Sequence, residues 1–236
     1  MSVHSPETIP SPPDLRDHTD PAVLYRLSNL VTRAIVGTLG ILLPLAFIIG
    51  ETVFLRGGVH VRGSLSAYYH TSMRDLFVAG LCVIGFFLAT YLSGEPKTAD
   101  FRLSLVAGLA VLGVAFFPTM RPHLLPSAPR CGVTPMPDGC SAIQQQLGER
   151  LVAGVHFTFA AVFILSLALI CFVFAKREQD HKHDARMAAI VRACGWIIIG
   201  AVAWVAVGGL LNVTIWELTP LYLGEVVSVW AFGAAW

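Results

Sequence analysis

The sequence predicts an all-α protein, a polytopic transmembrane helix bundle of about six spans. Three observations carry that expectation. Of 236 residues, 55% are hydrophobic and 13% charged, about half the ~25% charged share usual in a soluble domain. The mean hydropathy is +0.68. The apolar residues also fall into repeated runs along nearly the whole chain, several near the ~20 residues that a helix needs to cross ~30 Å of hydrocarbon. The recurrence argues for one membrane domain, residues 20–236, rather than two soluble domains. A net charge of +1 gives no electrostatic case for nucleic acid. The partner that this composition implies is a lipid bilayer.

Residues 1–19 set Pro10, Pro12 and Pro13 among Ser, Asp and Thr. With no apolar run, they read as a disordered tail rather than a signal or a span. Asp20-Pro21 has the form of a helix start, a capping carboxylate followed by a first-turn proline. Val23, Leu24, Leu27, Leu30 and Val31 then recur at helical spacing, predicting a short interfacial helix. Spans are expected at 34–55, 76–92, 103–117, 151–175, 187–213 and 221–236, the third stopping at Pro118 because proline cannot continue a helix. Residues 119–149 form the long loop. Gly200 and Ala203, three apart on one face of the fifth span, are expected at a close helix contact. The halves share no repeat, which gives an inverted-repeat transporter no support.

Six spans put both termini on one side. With that side cytoplasmic, ten Lys and Arg lie inside and six outside, of sixteen, so the positive-inside rule favours cytoplasmic termini in a multi-pass cell-membrane protein. The long loop is then outside. Cys131 and Cys140 lie in it, nine positions apart, and a disulfide suits an oxidising compartment. Two free thiols are the alternative. Cys82, Cys171 and Cys194 lie in apolar runs and read as packing residues.

Chain parity directs attention to one face. The end of span 1 and the starts of spans 2, 4 and 6 share it whichever way the chain is inserted. At ~1.5 Å per residue, Glu51, His156 and Glu225 sit about four to five residues below that face. His70 and Asp75 lie beside it in the polar run Ser64–Asp75. Ionisable groups within a membrane are costly and mark functional sites. The candidate ligands for a divalent metal, zinc, are His70, His156 and Glu225, because two His and a carboxylate make an open catalytic zinc set. Asp75 and Ser66 are the candidate catalytic residues, with Arg74, Tyr69 and Glu51 lining the pocket. For each there is a plainer role: interface anchor, helix cap, aromatic-belt tyrosine (Tyr68 and Tyr69) or interhelical pair. A Ser66–His70–Asp75 triad fits helical spacing at its first two members only. There is no His-x-x-x-His, no Gly-x-Ser-x-Gly and no phosphate-binding glycine loop.

Ser66-Ala67-Tyr68-Tyr69-His70 resembles the Ser-x-x-x-His motif of the superfamily of alkaline ceramidases and adiponectin/progestin-type receptors. Those are seven-span zinc-dependent lipid amidases and their relatives, which add an aspartate and a His-x-x-x-His on the last span. The resemblance implies that Ser66 assists, His70 binds zinc and Asp75 matches the aspartate. This chain departs from the pattern in carrying Glu225 and no histidine on its last span. As a whole it is similar to bacterial six-span membrane proteins with a Ser-x-Ser-x-Tyr-Tyr…Met-Arg-Asp segment, a likeness that implies no activity. The reading that results is a metal-assisted hydrolase of a lipid or other amphiphile, with a polar pocket near the outer face. The competing class is non-enzymatic: a small-molecule binder, a transporter component or a structural subunit of a membrane complex.

Overall fold

The structure is a computed structural model describing residues 21–55, 59, 61–91, 96–122, 127–182, 184–211, 213–215 and 218–236. The expected tail at 1–19 lies outside the described residues. Among these residues the regular structure is helical, apart from a single two-residue bridge between Ile215 and Leu218. The helices are α1 (Pro21–Leu55), α2 (Arg74–Thr90), α3 (Ala99–Phe116), α4 (Ala142–Leu147), α5 (Glu149–Arg177), α6 (Ala185–Leu210) and α7 (Pro220–Ala235), with a 3-10 helix at Leu65–His70. Four of them, α1, α3, α5 and α6, are long and apolar enough to cross a membrane. α2 and α7 have 17 and 16 residues.

Local chemistry accounts for most boundaries. The expected interfacial helix and first span are one 35-residue helix, because no breaker separates Val31 from Ala34. Thr98 caps α3 by accepting the Phe101 N–H at 3.3 Å, so α3 begins four residues before the expected span. It stops short of Pro118. Asp184 caps α6 through the Met187 N–H at 2.9 Å, and Thr219 caps α7 through the Tyr222 N–H at 3.0 Å, with Pro220 in the first turn.

Neighbours in sequence are neighbours in space. α1 packs on α2, α2 on α3, α3 on α5, α5 on α6, α6 on α7 and α7 back on α1, and α5 also touches α7 across the ring. Leu88, Val111, Leu167, Ile170 and Ile198 are fully buried between them. Two crossings depend on glycine. A Cβ on Gly233 would lie 2.8 Å from the Gly37 carbonyl oxygen, and one on Gly108 would lie 2.7 Å from that of Gly85. Gly200 corrects the sequence reading. It is exposed and a Cβ there would meet nothing within 4 Å. The buried stripe of α6 runs instead through Val191, Cys194, Ile198 and Ala201.

The described parts of the loop, 119–122 and 127–149, are held by polar contacts as well as by a covalent link. Cys131 and Cys140 are joined, with Cα atoms 5.9 Å apart. Ser141 and Gln144 form a reciprocal capping box at the start of α4. Gly148, at φ +85°, both ends α4 and precedes α5, a backbone conformation that suits glycine. Buried Glu149 accepts from Arg121 Nε at 2.8 Å, while Arg121 donates onward to the Asp138 and Pro129 carbonyls. On the opposite face, Arg177 pairs with Asp100 at 2.7 Å.

Candidate functional site

The site begins with a backbone that turns three residues at a time. Ser64 accepts the Ala67 N–H at 3.0 Å, opening the 3-10 helix at Leu65–His70. In such a helix, residues three apart share a side. Ser66 and His70, four apart, therefore point about 120° away from each other. An α-helical spacing would have brought them together. Tyr68 and Tyr69 are also not belt residues. Tyr68 is 0% exposed and stacks on Phe47 at 5.2 Å, and Tyr69 is buried edge-on to Phe77. Burial pushes the Tyr68 phenol up to about 12. The segment folds inward among the helices instead of lying in the interface.

Ser66 thereby meets the fourth long run. His156 on α5 is buried, and its Nε2 lies 3.0 Å from Ser66 Oγ. Its Nδ1 lies 2.6 Å from the Phe117 carbonyl oxygen. A carbonyl can only accept, so Nδ1 carries the proton and Nε2 presents a lone pair to the Ser66 hydroxyl. Glu225 on α7 arrives from the other side. It accepts the Leu65 N–H at 2.6 Å, and its Oε1 is 3.5 Å from Ser66 Oγ, the limit of a hydrogen bond. Once Ser66 has given its one proton to His156, the Glu225 contact is a hydrogen bond only when Glu225 carries a proton.

Three of the candidates thus converge: Ser66, His156 and Glu225. The others stand elsewhere. His70 turns its Nε2 to the Thr119 carbonyl at 2.9 Å. Burial holds its imidazole below the usual histidine range, against the opposing pull of the Thr119 and Gly139 carbonyls. Asp75 is exposed in the first turn of α2, where a carboxylate complements the helix dipole. Arg74 lies over the Tyr69 ring at 4.6 Å and donates to its hydroxyl at 2.9 Å. Glu51 is buried but is held by Arg62, whose Nε donates at 2.8 Å and whose Nη2 also pairs with it.

A catalytic zinc site takes three protein ligands. Among the described residues no three His, Cys, Asp or Glu side chains gather to hold a metal, and both ring nitrogens of His156 are already engaged. The donor set does not fit the group that the sequence suggested. Sequence reasoning also passed over Arg62, Gln144, Arg121 and Glu149. Gln144 is fully buried and donates to the Thr119 carbonyl at 2.8 Å, the same oxygen that His70 uses. Gln144 had a signal in its Ser141-x-x-Gln spacing. Arg62 and Arg121 had none, since their partners come from other elements.

Beside Glu225 lies an apolar groove of about 280 Å³ between α5, α6 and α7. Ala160 and Ile164, Val202 and Val205, and Gly224 form its walls, while Glu225 and Ser228 supply its polar points. A mostly apolar cleft with a few convergent polar groups is the usual form of a small-molecule site.

Fold and site together define a class: an all-helical bundle with several helices fit to cross a bilayer, as in a multi-pass membrane protein, with a Ser–His–Glu cluster next to an apolar groove. Comparison with protein-family models, with curated proteins and with solved structures returns no match, so the reading below rests on this chain alone.

Proposed function

We propose that this is a six-span cell-membrane protein that admits a lipid-like amphiphile between α5, α6 and α7 and hydrolyses it at Ser66. The observation that carries the reading is the 3.0 Å contact of Ser66 Oγ with a His156 whose other nitrogen is locked on a carbonyl. A nucleophile within reach of a base, itself oriented by a third group, is the general signature of covalent catalysis. Here the orienting group is a backbone carbonyl rather than a carboxylate. His156 Nε2 takes the Ser66 proton as Oγ bonds the acyl carbon. The same nitrogen returns the proton to the leaving alcohol or amine. Water, activated by His156, then releases the acid and restores the Ser66 hydroxyl. Glu225 stands between this pair and the groove, so an entering polar group takes the place of its carboxyl beside Ser66. No step is routed through a metal.

The six-span count is supported by the ring, in which α2 packs between α1 and α3, and α7 between α6 and α1. At ~1.5 Å per residue their 17 and 16 residues reach about 25 Å, and flanking residues complete the crossing. The balance of Lys and Arg supports cytoplasmic termini, with the Ser66 face outward.

An alkyl fluorophosphonate probe tests the hydrolase. Purified protein in detergent is expected to be labelled at Ser66, with labelling lost in Ser66→Ala and slowed about a hundredfold or more in His156→Ala. A second reading is favoured by burial, since Ser66 is 5% and His156 1% exposed: the cluster is a hydrogen-bonded brace in a non-enzymatic membrane protein. Folded wild type that takes no label, together with variants that lose thermal stability, would give the field to that reading.

A further inference from the structure

Far from Ser66, at the opposite face of the bundle, arginines ring a second cavity. Its volume is about 400 Å³, and Arg26, Asn29 and Arg33 of α1 line it together with Arg177 and Glu178 at the end of α5 and Tyr91 after α2. Arg26, Asn29 and Arg33 lie three and four apart, so one helix stripe presents all of them.

Two of the guanidinium groups are held in place from behind. Arg33 donates through Nε to the Trp236 backbone oxygen at 2.6 Å and lies over the Phe174 ring at 5.1 Å. Arg177 donates through Nη1 to buried Asp100 at 2.7 Å. Each uses one of five N–H donors and keeps the rest for a ligand. Arg26 is exposed and makes no ion pair or hydrogen bond among the described residues. Against these three cations stand Glu178 in the lining, Asp100 behind Arg177 and the Trp236 oxygen on Arg33. What the cavity offers an anion is the unused N–H donors of Arg33 and Arg177 and the exposed guanidinium of Arg26. Leu30, which lines the cavity, is more than half exposed and gives it an apolar edge beside the arginine stripe.

We propose that this cavity binds the phosphate group of an anionic lipid headgroup, with the acyl chains leaving past Leu30 toward the apolar part of α1. Arginine is suited to phosphate because its fork makes paired hydrogen bonds to two oxygens. A basic pocket between helices at the cytoplasmic end of a bundle is a recognised place for such headgroups. The proposal stands independently of the chemistry at Ser66.

The test is a thermal-unfolding titration of the whole chain in detergent. It uses short-chain phosphatidylglycerol, matched phosphatidylcholine and inorganic phosphate as separate probes. Phosphatidylglycerol is expected to raise Tm with a saturable midpoint, and phosphatidylcholine to leave Tm unchanged. Arg26→Gln, at an exposed and unpaired position, should shift the midpoint roughly tenfold. Arg102→Gln, which removes an exposed charge from the same end outside the cavity, should leave it in place. Equal shifts with the zwitterionic lipid, or an unchanged midpoint in Arg26→Gln, overturn the site. Inorganic phosphate as effective as the lipid at the same concentration overturns the lipid as its source.

Discussion

Two carbonyls at the end of α3 decide what both histidines near the Ser66 face do. Helix C-termini leave backbone oxygens without partners, and Pro118 prevents the chain from coiling on to cover them. Phe117 gives its oxygen to His156, and Thr119 gives its own to His70 and Gln144. His70 is therefore a brace between the 3-10 helix and the long loop, and its protonation bears on stability. Burial holds its folded-state pKa below the ordinary value of 6.5. Protonation then favours the unfolded chain, so the contribution of neutral His70 is whole above pH ~6.5. It shrinks as pH falls through 6.5 toward the lower folded-state value. Thermal unfolding measured from pH 8 to 5 should show wild type losing stability on acidification more steeply than His70→Gln. Parallel curves for the two proteins would remove His70 from this role.

At the scale of elements, helix approach is set by where glycine meets backbone rather than by how many small residues a helix carries. Gly233 of α7 faces the Gly37 carbonyl of α1 with no room for a Cβ. Gly233→Leu should destabilise the bundle by about 1–3 kcal/mol, the usual cost of overpacking. Gly200→Leu should change little, since that position faces outward. Thermal stability of both variants in one detergent separates them, and a larger loss at Gly200 than at Gly233 would contradict the crossing of α1 and α7. The 3-10 helix makes the same point about phase. The Ser66 and His70 spacing reads as one face only under α-helical geometry, and three residues per turn send the pair to different partners.

For the whole molecule, closure of the ring and the covalent loop determine which parts share a face. Parity brings the ends of α1 and α3 and the starts of α2, α5 and α7 to one face, and the loop with Cys131 and Cys140 covers it. Under the proposed orientation an impermeant maleimide should label neither cysteine in intact cells and both after reduction. Labelling before reduction would contradict the bridge, and none after it would contradict the orientation. Within that loop Glu149 collects Arg121 and the Cys131 N–H. Glu149→Gln should cost about 3 kcal/mol, because it leaves the Arg121 guanidinium without its charge partner in a largely buried place. A loss under 0.5 kcal/mol by denaturant unfolding would show the contact to be incidental.

The helices and the depth of the site were legible in the chain because both follow from local patterns. Apolar run length and Pro118 report on neighbours in sequence; the caps at Thr98, Asp184 and Thr219 are just as local, but they were passed over in favour of spans starting at 103, 187 and 221. Rise per residue then brings Glu51, His156 and Glu225 to a shared depth whatever their partners. Direction about each helix axis was not legible. Whether a side chain at that depth faces the bundle, the loop or lipid depends on helix rotation and on acceptors supplied from distant residues. Glu51 was claimed by Arg62 from the following segment, His70 by Thr119, and Asp75 remained at the surface. Ser66, His156 and Glu225 came together because α5 and α7 touch across the ring and the 3-10 helix inserts beside them, a contact between residues 90 and 159 positions apart. Sequence by itself determined that this chain makes a helical bundle with helices apolar enough to cross a membrane and polar groups near one face. Tertiary structure alone decided which of those groups meet, because hydrogen bonds select partners by direction and distance, and only the packed helices set those.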